Sequence, residues 1–242
     1  MHNENYQQWN GSRWDYTKSR SKWHFDPTKT TEQDYLEVCN FSGEWAEEVE
    51  KYSQLVKDAD WSSRNPEIDR IYSAPEEEAD LVRAGADPHM KIFQRAKAED
   101  SIIFQQIADH FGMEDTAIKF HNQITGQILV WHIDNFAGRE ERNNSFINID
   151  ADKQPKLMRR FIVALDDWRH GQVFALGNSY WHQWKKGDCI TWEWQDMPHA
   201  TCNIGWDPRP LLQITGRTTE RTEQIMSCAN IHNIIEISGD KQ

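Results

Sequence analysis

No stretch of this sequence approaches the ~20 consecutive apolar residues that a membrane-spanning helix needs, and its mean hydropathy is −0.85. No spanning helix is expected. Cysteine is scarce: Cys39, Cys189, Cys202 and Cys228 are the four, and none forms a C-x-x-C pair. A zinc ribbon or thioredoxin-like motif is therefore not written here. Positive charge is also in deficit, with 27 Lys and Arg against 39 Asp and Glu and a net charge of −12. Such a chain repels a phosphate backbone unless its cations gather on one face. Its small clusters, Lys156 with Arg159 and Arg160, and Lys185 with Lys186, read first as solvated strand ends. Nucleic acid is not an expected partner, nor is a membrane. The opening MHNENYQQWNGSRWDY has no apolar run, so no secretory leader is expected. The reducing cytoplasm is the simplest location. No internal repeat is visible.

Tryptophan is abundant, with 12 residues, most of them expected in the core or a pocket wall. The chain has 242 residues, 38% hydrophobic and 27% charged. That suits a soluble globular protein with one large core, or one core plus a helical annex. Residues 1–30 are polar, aromatic-rich and irregular, an arm that Trp9, Trp14 and Trp23 could pack on the rest. Trp45, Val49, Tyr52, Leu55 and Val56 recur at helical spacing and predict a helix over 43–58. Residues 61–75 hold two prolines and read as loop. Pro75 and the glutamates after it suit the first turn of a helix over 75–84. A third helix is predicted over 98–111, with Ile102, Ile103, Ile107 and Phe111 as its apolar face and Gly112 at its end.

After residue 115 the texture changes. Short apolar runs alternate with turn signals: AIKFHNQI, ILVWHID, MRRFIVAL, QVFAL, YWHQW, CITWEW, HATCNI and PLLQITG. Eight such strands predict an all-β sandwich or barrel. Between them, Phe136 to Lys156 is a long polar stretch of the kind that often forms a functional lid. ANIHNIIEIS could add one edge strand.

Within ILVWHIDNF, His132 and Asp134 are two apart and share a face of their strand. An imidazole and a carboxylate can cover two adjacent positions of an octahedral metal. His199, on a later strand, can supply a third. Two His and one carboxylate on one side of the ion make the facial triad of non-heme Fe(II), with three positions left open. H-x-D alone is weak: His24-Phe25-Asp26 is a second copy, in an irregular segment before Pro27, and reads as surface or packing. Arg160, at a strand start, reads either as an outward salt bridge or as a partner for an anionic substrate or co-substrate. His182 and His170 read as packed or surface residues. Trp131, Trp192 and Trp194 read as core, two of them as possible pocket wall, and Cys189 and Cys202 as buried fillers.

The longer pattern Gln123-Ile-Thr-Gly126-Gln127-Ile-Leu-Val-Trp-His132-Ile-Asp134 resembles the signature of the 2-oxoglutarate/Fe(II) oxygenases, in their prolyl-hydroxylase-like and aspartyl-hydroxylase-like branches. FIVALDDWRHGQVF resembles the family's strand, acidic turn, glycine and next strand. WKKGDCITWEWQDMPHATCNIGWDPRPLLQIT resembles its Gly-Asp turn, distal His and a basic residue ten positions on, here Arg209. The resemblance covers residues 115–218. Gln123 stands where the family usually has Tyr, and Leu211 where it often has Ser or Thr.

The resemblance implies a mainly β fold: a double-stranded β-helix (jelly-roll, cupin-like) buttressed by N-terminal helices. It divides the chain into an arm and helices over 1–114, the catalytic core over 115–218 and an extension over 219–242. It implies His132, Asp134 and His199 as the metal-binding and catalytic residues, and Arg209 as the clamp on the remote carboxylate of 2-oxoglutarate. Gln123 and His121 would assist. Fe(II), 2-oxoglutarate and O2 would be the cofactors, with ascorbate as a supporting reductant. The reaction would hydroxylate a small molecule, an amino acid or a peptide side chain and release succinate and CO2. Halogenases of the superfamily lack the carboxylate, so Asp134 points to hydroxylation or a related oxidation. Two other readings are a cupin-type metal enzyme that does not use 2-oxoglutarate and a non-catalytic ligand-binding barrel. The substrate and the oligomeric state are not written in the sequence.

Overall fold

The computed structural model describes residues 34–57, 68–70, 94–132, 158–193 and 197–238, with the backbone alone at Lys57, 68–70, Gln94, Val130 and His132. Its strands are β1 (Leu36–Ser42), β2 (Ile68–Arg70), β3 (Gln94–Lys97), β4 (Glu114–Gln123), β5 (Ile128–His132), β6 (Met158–Ala164), β7 (Gln172–Leu176), β8 (Ser179–Trp181), β9 (Asp188–Thr191), β10 (His199–Asn203), β11 (Arg209–Arg217) and β12 (Ile234–Glu236). The helices are α1 (Ala46–Lys57), α2 (Ile102–His110) and α3 (Glu220–Ser227).

Two sheets form. The larger runs β12-β1-β9-β6-β11-β4-β3-β2, the smaller β5-β10-β7-β8. From β4 to β11 the chain changes sheet at every connection except β7 to β8. That alternation is a double-stranded β-helix, and the eight runs seen in the sequence are its eight strands. The arrangement is mainly β with helices on one face.

Alternation along the strands divides the large sheet into two faces. Ile118, Phe120, Phe161, Val163, Leu212 and Ile214 point to one side, where they pack with Trp45, Tyr52, Phe104, Ile107 and Phe111. Phe111 stacks on Phe161 with ring centres 3.9 Å apart. The other side faces the small sheet: Ala117, Ile162, Ala164 and Leu211 meet Phe174, Leu176, Trp181 and Trp192. This second interior is the barrel lumen.

The helix ends follow local chemistry. Ser101 caps α2, its Oγ accepting from Phe104 N at 3.2 Å, and Gly112 follows at φ +61°. The buried stripe of α2 is Phe104, Ile107, Ala108 and Phe111, whereas Ile102, expected on that stripe, is 43% exposed. Ile102 lies about 200° around the helix from Phe104 at 100° per residue. Trp45 is buried just before α1, its Nε1 donating to Leu165 O at 2.9 Å.

Other departures are edges. β2 falls inside the segment expected as loop, and it is too short for a periodic signal. β1 and β12 are parallel neighbours on the rim of the large sheet. β8 stops at Trp181, before His182. The helix expected over 75–84 and the stretch 136–156 lie outside the described residues, as do residues 1–30.

The KKGD turn holds the β9 end of the lumen. Gly187 sits at φ +92°, and a Cβ there would clash with Phe41 O. Its N–H donates to Ala164 O at 2.8 Å. Gly187→Ala is expected to destabilise by about 3 kcal/mol or more, from left-handed strain plus a backbone clash. A urea unfolding midpoint near that of wild type would contradict this.

Candidate active site in the barrel lumen

Gln123 ends β4 and Arg209 begins β11, and the two stand directly opposite in the ladder. Exposure is 0% for Gln123 and 2% for Arg209. Arg209 Nη1 donates to Val173 O at 2.9 Å, and its guanidinium carbon lies 5.6 Å from the centre of the Phe174 ring. Gln123 Nε2 donates to Thr201 Oγ1 at 3.2 Å. Among the described residues, Arg209 Nε and Gln123 Oε1 have no hydrogen-bond partner. Burial pushes the guanidinium down to about 9, with no carboxylate near enough to raise it among those residues. It is still a cation at neutral pH.

His199 begins β10 and is 3% exposed. Its Nδ1 lies 3.2 Å from Met197 O. A carbonyl only accepts, so Nδ1 carries the proton and Nε2 presents a lone pair, the state a metal ligand needs. Its ring centre is 5.0 Å from that of Trp192 and 6.4 Å from that of Phe174. Phe174 thus neighbours both His199 and Arg209. The backbone of His132 is directly opposite His199 in the β10–β5 ladder, and the register slips between His199 and Thr201. Such bulges re-aim side chains and often lie beside active sites.

The fold therefore places His132 and His199 side by side along the backbone, and Gln123 beside Arg209. Asp134 lies outside the described residues, as do His24 and Asp26. Among the described residues there is no group of three or more metal-type side chains. A depression lined by Glu99, Asp100, Asp109, His110 and Arg221 belongs to the helical side of the large sheet, away from His199.

His121 projects into the lumen and is 7% exposed. Burial holds its imidazole well below the usual range, and Arg95, Arg160, Arg209 and Lys119 reinforce this. It is neutral in the folded chain. In acid the unfolded chain binds a proton there that the folded chain does not, so stability falls as pH drops through the unfolded value of about 6.5. His121→Gln is expected to remove up to about 2 kcal/mol of the stability lost between pH 7.5 and 5. Parallel urea titrations of variant and wild type check this, and identical pH slopes would contradict it.

Three expectations change. Arg159 and Arg160 are 7% and 4% exposed, not solvated, because β6 is a central strand covered on both faces. Trp131 is 37% exposed rather than core, and Cys202 is only partly buried while Cys189 is fully so. His170 and His182 are surface residues beside Trp168. The sequence reading passed over Lys119, which is 5% exposed. Its signal was parity: Lys119 shares a face with His121 and Gln123, while Ile118 and Phe120 take the other.

No protein-family profile matches the sequence, and no curated protein matches it. Among solved structures, the chain is similar to the non-heme alpha-ketoglutarate-dependent epimerase SnoN from nogalamycin biosynthesis, at 12% identity and TM-score 0.46, over 77% of this chain and 79% of that one. It is similar to the non-heme monooxygenase ThoJ in its nickel complex, at 16% identity and TM-score 0.43, over 76% and 74%. It is also similar to a prolyl-4-hydroxylase of Pseudomonas putida, at 14% identity and TM-score 0.39, over 71% and 99%.

Proposed function

We propose that this chain is an Fe(II)- and 2-oxoglutarate-dependent dioxygenase that hydroxylates a small molecule, amino acid or peptide side chain. The observation that carries this reading is a buried guanidinium, Arg209, facing Gln123 and sharing the Phe174 wall with His199. A buried cation without an acidic partner is expensive, and an anionic ligand offsets that cost. The guanidinium fork suits a carboxylate, taking both oxygens.

His132, Asp134 and His199 would hold the metal. Bound iron and 2-oxoglutarate supply the activation of O2, which converts substrate C–H to C–OH as 2-oxoglutarate becomes succinate and CO2. The chain's own part is placement and exclusion of water. His199 offers Nε2 because Met197 O holds its Nδ1 proton. Thr201, which touches Gln123, is two residues from His199 on the same face of β10, roughly 7 Å along a strand. A short dicarboxylate spans that gap. A half-turn of the Gln123 amide lets Thr201 Oγ1 donate to Oε1 and turns the N–H groups toward the same ligand. Phe174, Trp192 and Leu176 keep the wall dry.

The test is anaerobic. Wild-type chain with Fe(II) and 2-oxoglutarate is expected to show a weak visible metal-to-ligand charge-transfer band. A folded chain without that band, with either component absent from the complex, defeats the reading in favour of a barrel that does not use 2-oxoglutarate.

A further inference from the structure

Side chains of the small sheet alternate between the lumen and the outside of the barrel. Phe174 and Leu176 of β7, Trp181 of β8 and His199 and Thr201 of β10 are buried on the lumen side. That leaves Val173 and Ala175 of β7, Tyr180 of β8, and Ala200 and Cys202 of β10 on the outer face. Ile128 of β5 pairs with Cys202 and joins them, as does Trp131, one residue before His132. None of these side chains is charged, and Tyr180, Ile128 and Trp131 are exposed. An antiparallel sheet with one face in water normally reads apolar inward and polar outward. Here the outward positions are apolar on all four strands, which marks a face that another surface covers.

The described chain enters beside this face. Asp34 N donates to Ser179 Oγ at 3.0 Å, and Asp34 Oδ2 accepts from Asn178 N at 2.6 Å. Residue 34 is thus fastened to the β7–β8 turn, next to Tyr180 and at the edge of the small sheet. The 33 residues before it include Tyr6, Trp9, Trp14, Tyr16, Trp23 and Phe25. They hold five Lys and Arg against four Asp and Glu, a net charge of +1, so the other 209 residues carry −13. An arm of that charge approaches the acidic remainder without repulsion. The stretch 133–157, which follows β5 at the opposite edge, has no tryptophan or tyrosine.

Size separates a tethered occupant from a free one. Four strands about 4.8 Å apart and about five residues long make a face of roughly 300 Å². A free partner needs roughly 800 Å² on each side for a stable interface. A segment joined at Asp34 does not, because its tether holds it at an effective concentration in the millimolar range. Reach is ample: Trp23 is eleven residues from Asp34, roughly 36 Å of extended chain, and the face is roughly 20 Å wide.

We propose that residues 1–33 of the same chain dock on the outer face of the small sheet, with Trp14, Trp23 and Phe25 covering it. The face is the back of β5 and β10, the strands that carry His132 and His199, so the arm braces the strands that place both imidazoles. The docking does not depend on what those imidazoles bind.

The experiment is photo-cross-linking of the full chain with p-benzoylphenylalanine in place of Ile128, at the far edge from Asp34. Isotope-labelled and unlabelled chains are mixed so that links within a chain are told from links between chains. The expected result is cross-linked peptides from residues 1–33 of the same chain. Links to residues 133–157, links to a second copy, or no link in a folded chain each overturn the proposal. The same probe in place of Ile102, exposed on α2 at the helical side, is expected to miss the arm. Equal capture of the arm from both positions also overturns the proposal, because the arm then has no fixed seat.

Cys202 gives a second readout, with the exposed Cys228 as its internal reference. Replacing Trp14→Ser, Trp23→Ser and Phe25→Ser together is expected to raise iodoacetamide alkylation of Cys202, relative to Cys228, by about tenfold or more. An unchanged ratio in a variant that keeps its cooperative melt overturns the proposal. If the variant loses that melt, the cross-link from position 128, made in an otherwise wild-type chain, decides.

Discussion

His199→Ala will lower Fe(II)-dependent conversion of 2-oxoglutarate to succinate by at least about a thousandfold, equivalent to ~4 kcal/mol. The imidazole is buried in the lumen, and its tautomer is set by Met197 O at 3.2 Å. The methyl group of Ala gives the metal nothing to bind. The loss will not come from unfolding. The main-chain ladder of β10 to β5 and β7 does not involve the ring, and the variant is expected to keep a cooperative melt. Succinate production within tenfold of wild type would remove His199 from the metal site.

Arg209→Met will act in two opposite directions. Affinity for 2-oxoglutarate is expected to fall about a hundredfold, equivalent to ~3 kcal/mol for truncating one side of a buried charge pair. The empty chain is expected to become more stable at neutral pH, because Met buries well where the guanidinium has no carboxylate partner among the described residues. The pH dependence has a definite sign. With its folded value lowered to about 9, the unfolded chain holds a proton there that the folded chain releases above that pH. Wild-type stability therefore gains from this group as pH rises from about 9 toward the unfolded value, and the variant lacks the gain. Urea titrations without ligand and calorimetry with 2-oxoglutarate check the two effects. A structural arginine would behave differently: its loss would destabilise the empty chain and leave the diacid's affinity unchanged.

Period-two alternation made the barrel strands legible, and the turn glycines fixed where they end. Gly126 at φ +85° and Gly187 at φ +92° both stand at such turns. Edge elements were not legible. β2 and β12 are three residues each, too short to show a period, and β1 owes its place to β9 and β12. In the site, Arg209 and Gln123 were marked by the resemblance to the oxygenase signature, and the ladder sets them opposite one another. The inward aim of Arg160 was not readable, because a basic residue at a strand start looks the same whether a sheet covers one face or two. Lys119 was hidden for a related reason. The face of β4 that looks apolar in sequence packs on the helices, and the polar face lines the lumen.

The most direct measurement is a crystal of the full chain grown without oxygen, with Mn(II) and 2-oxoglutarate, read at the manganese absorption edge. The expected result is one anomalous peak bonded to His199 Nε2, His132 and Asp134, with the diacid reaching from it to Arg209. A peak elsewhere, or a diacid that leaves Arg209 untouched, would contradict the account.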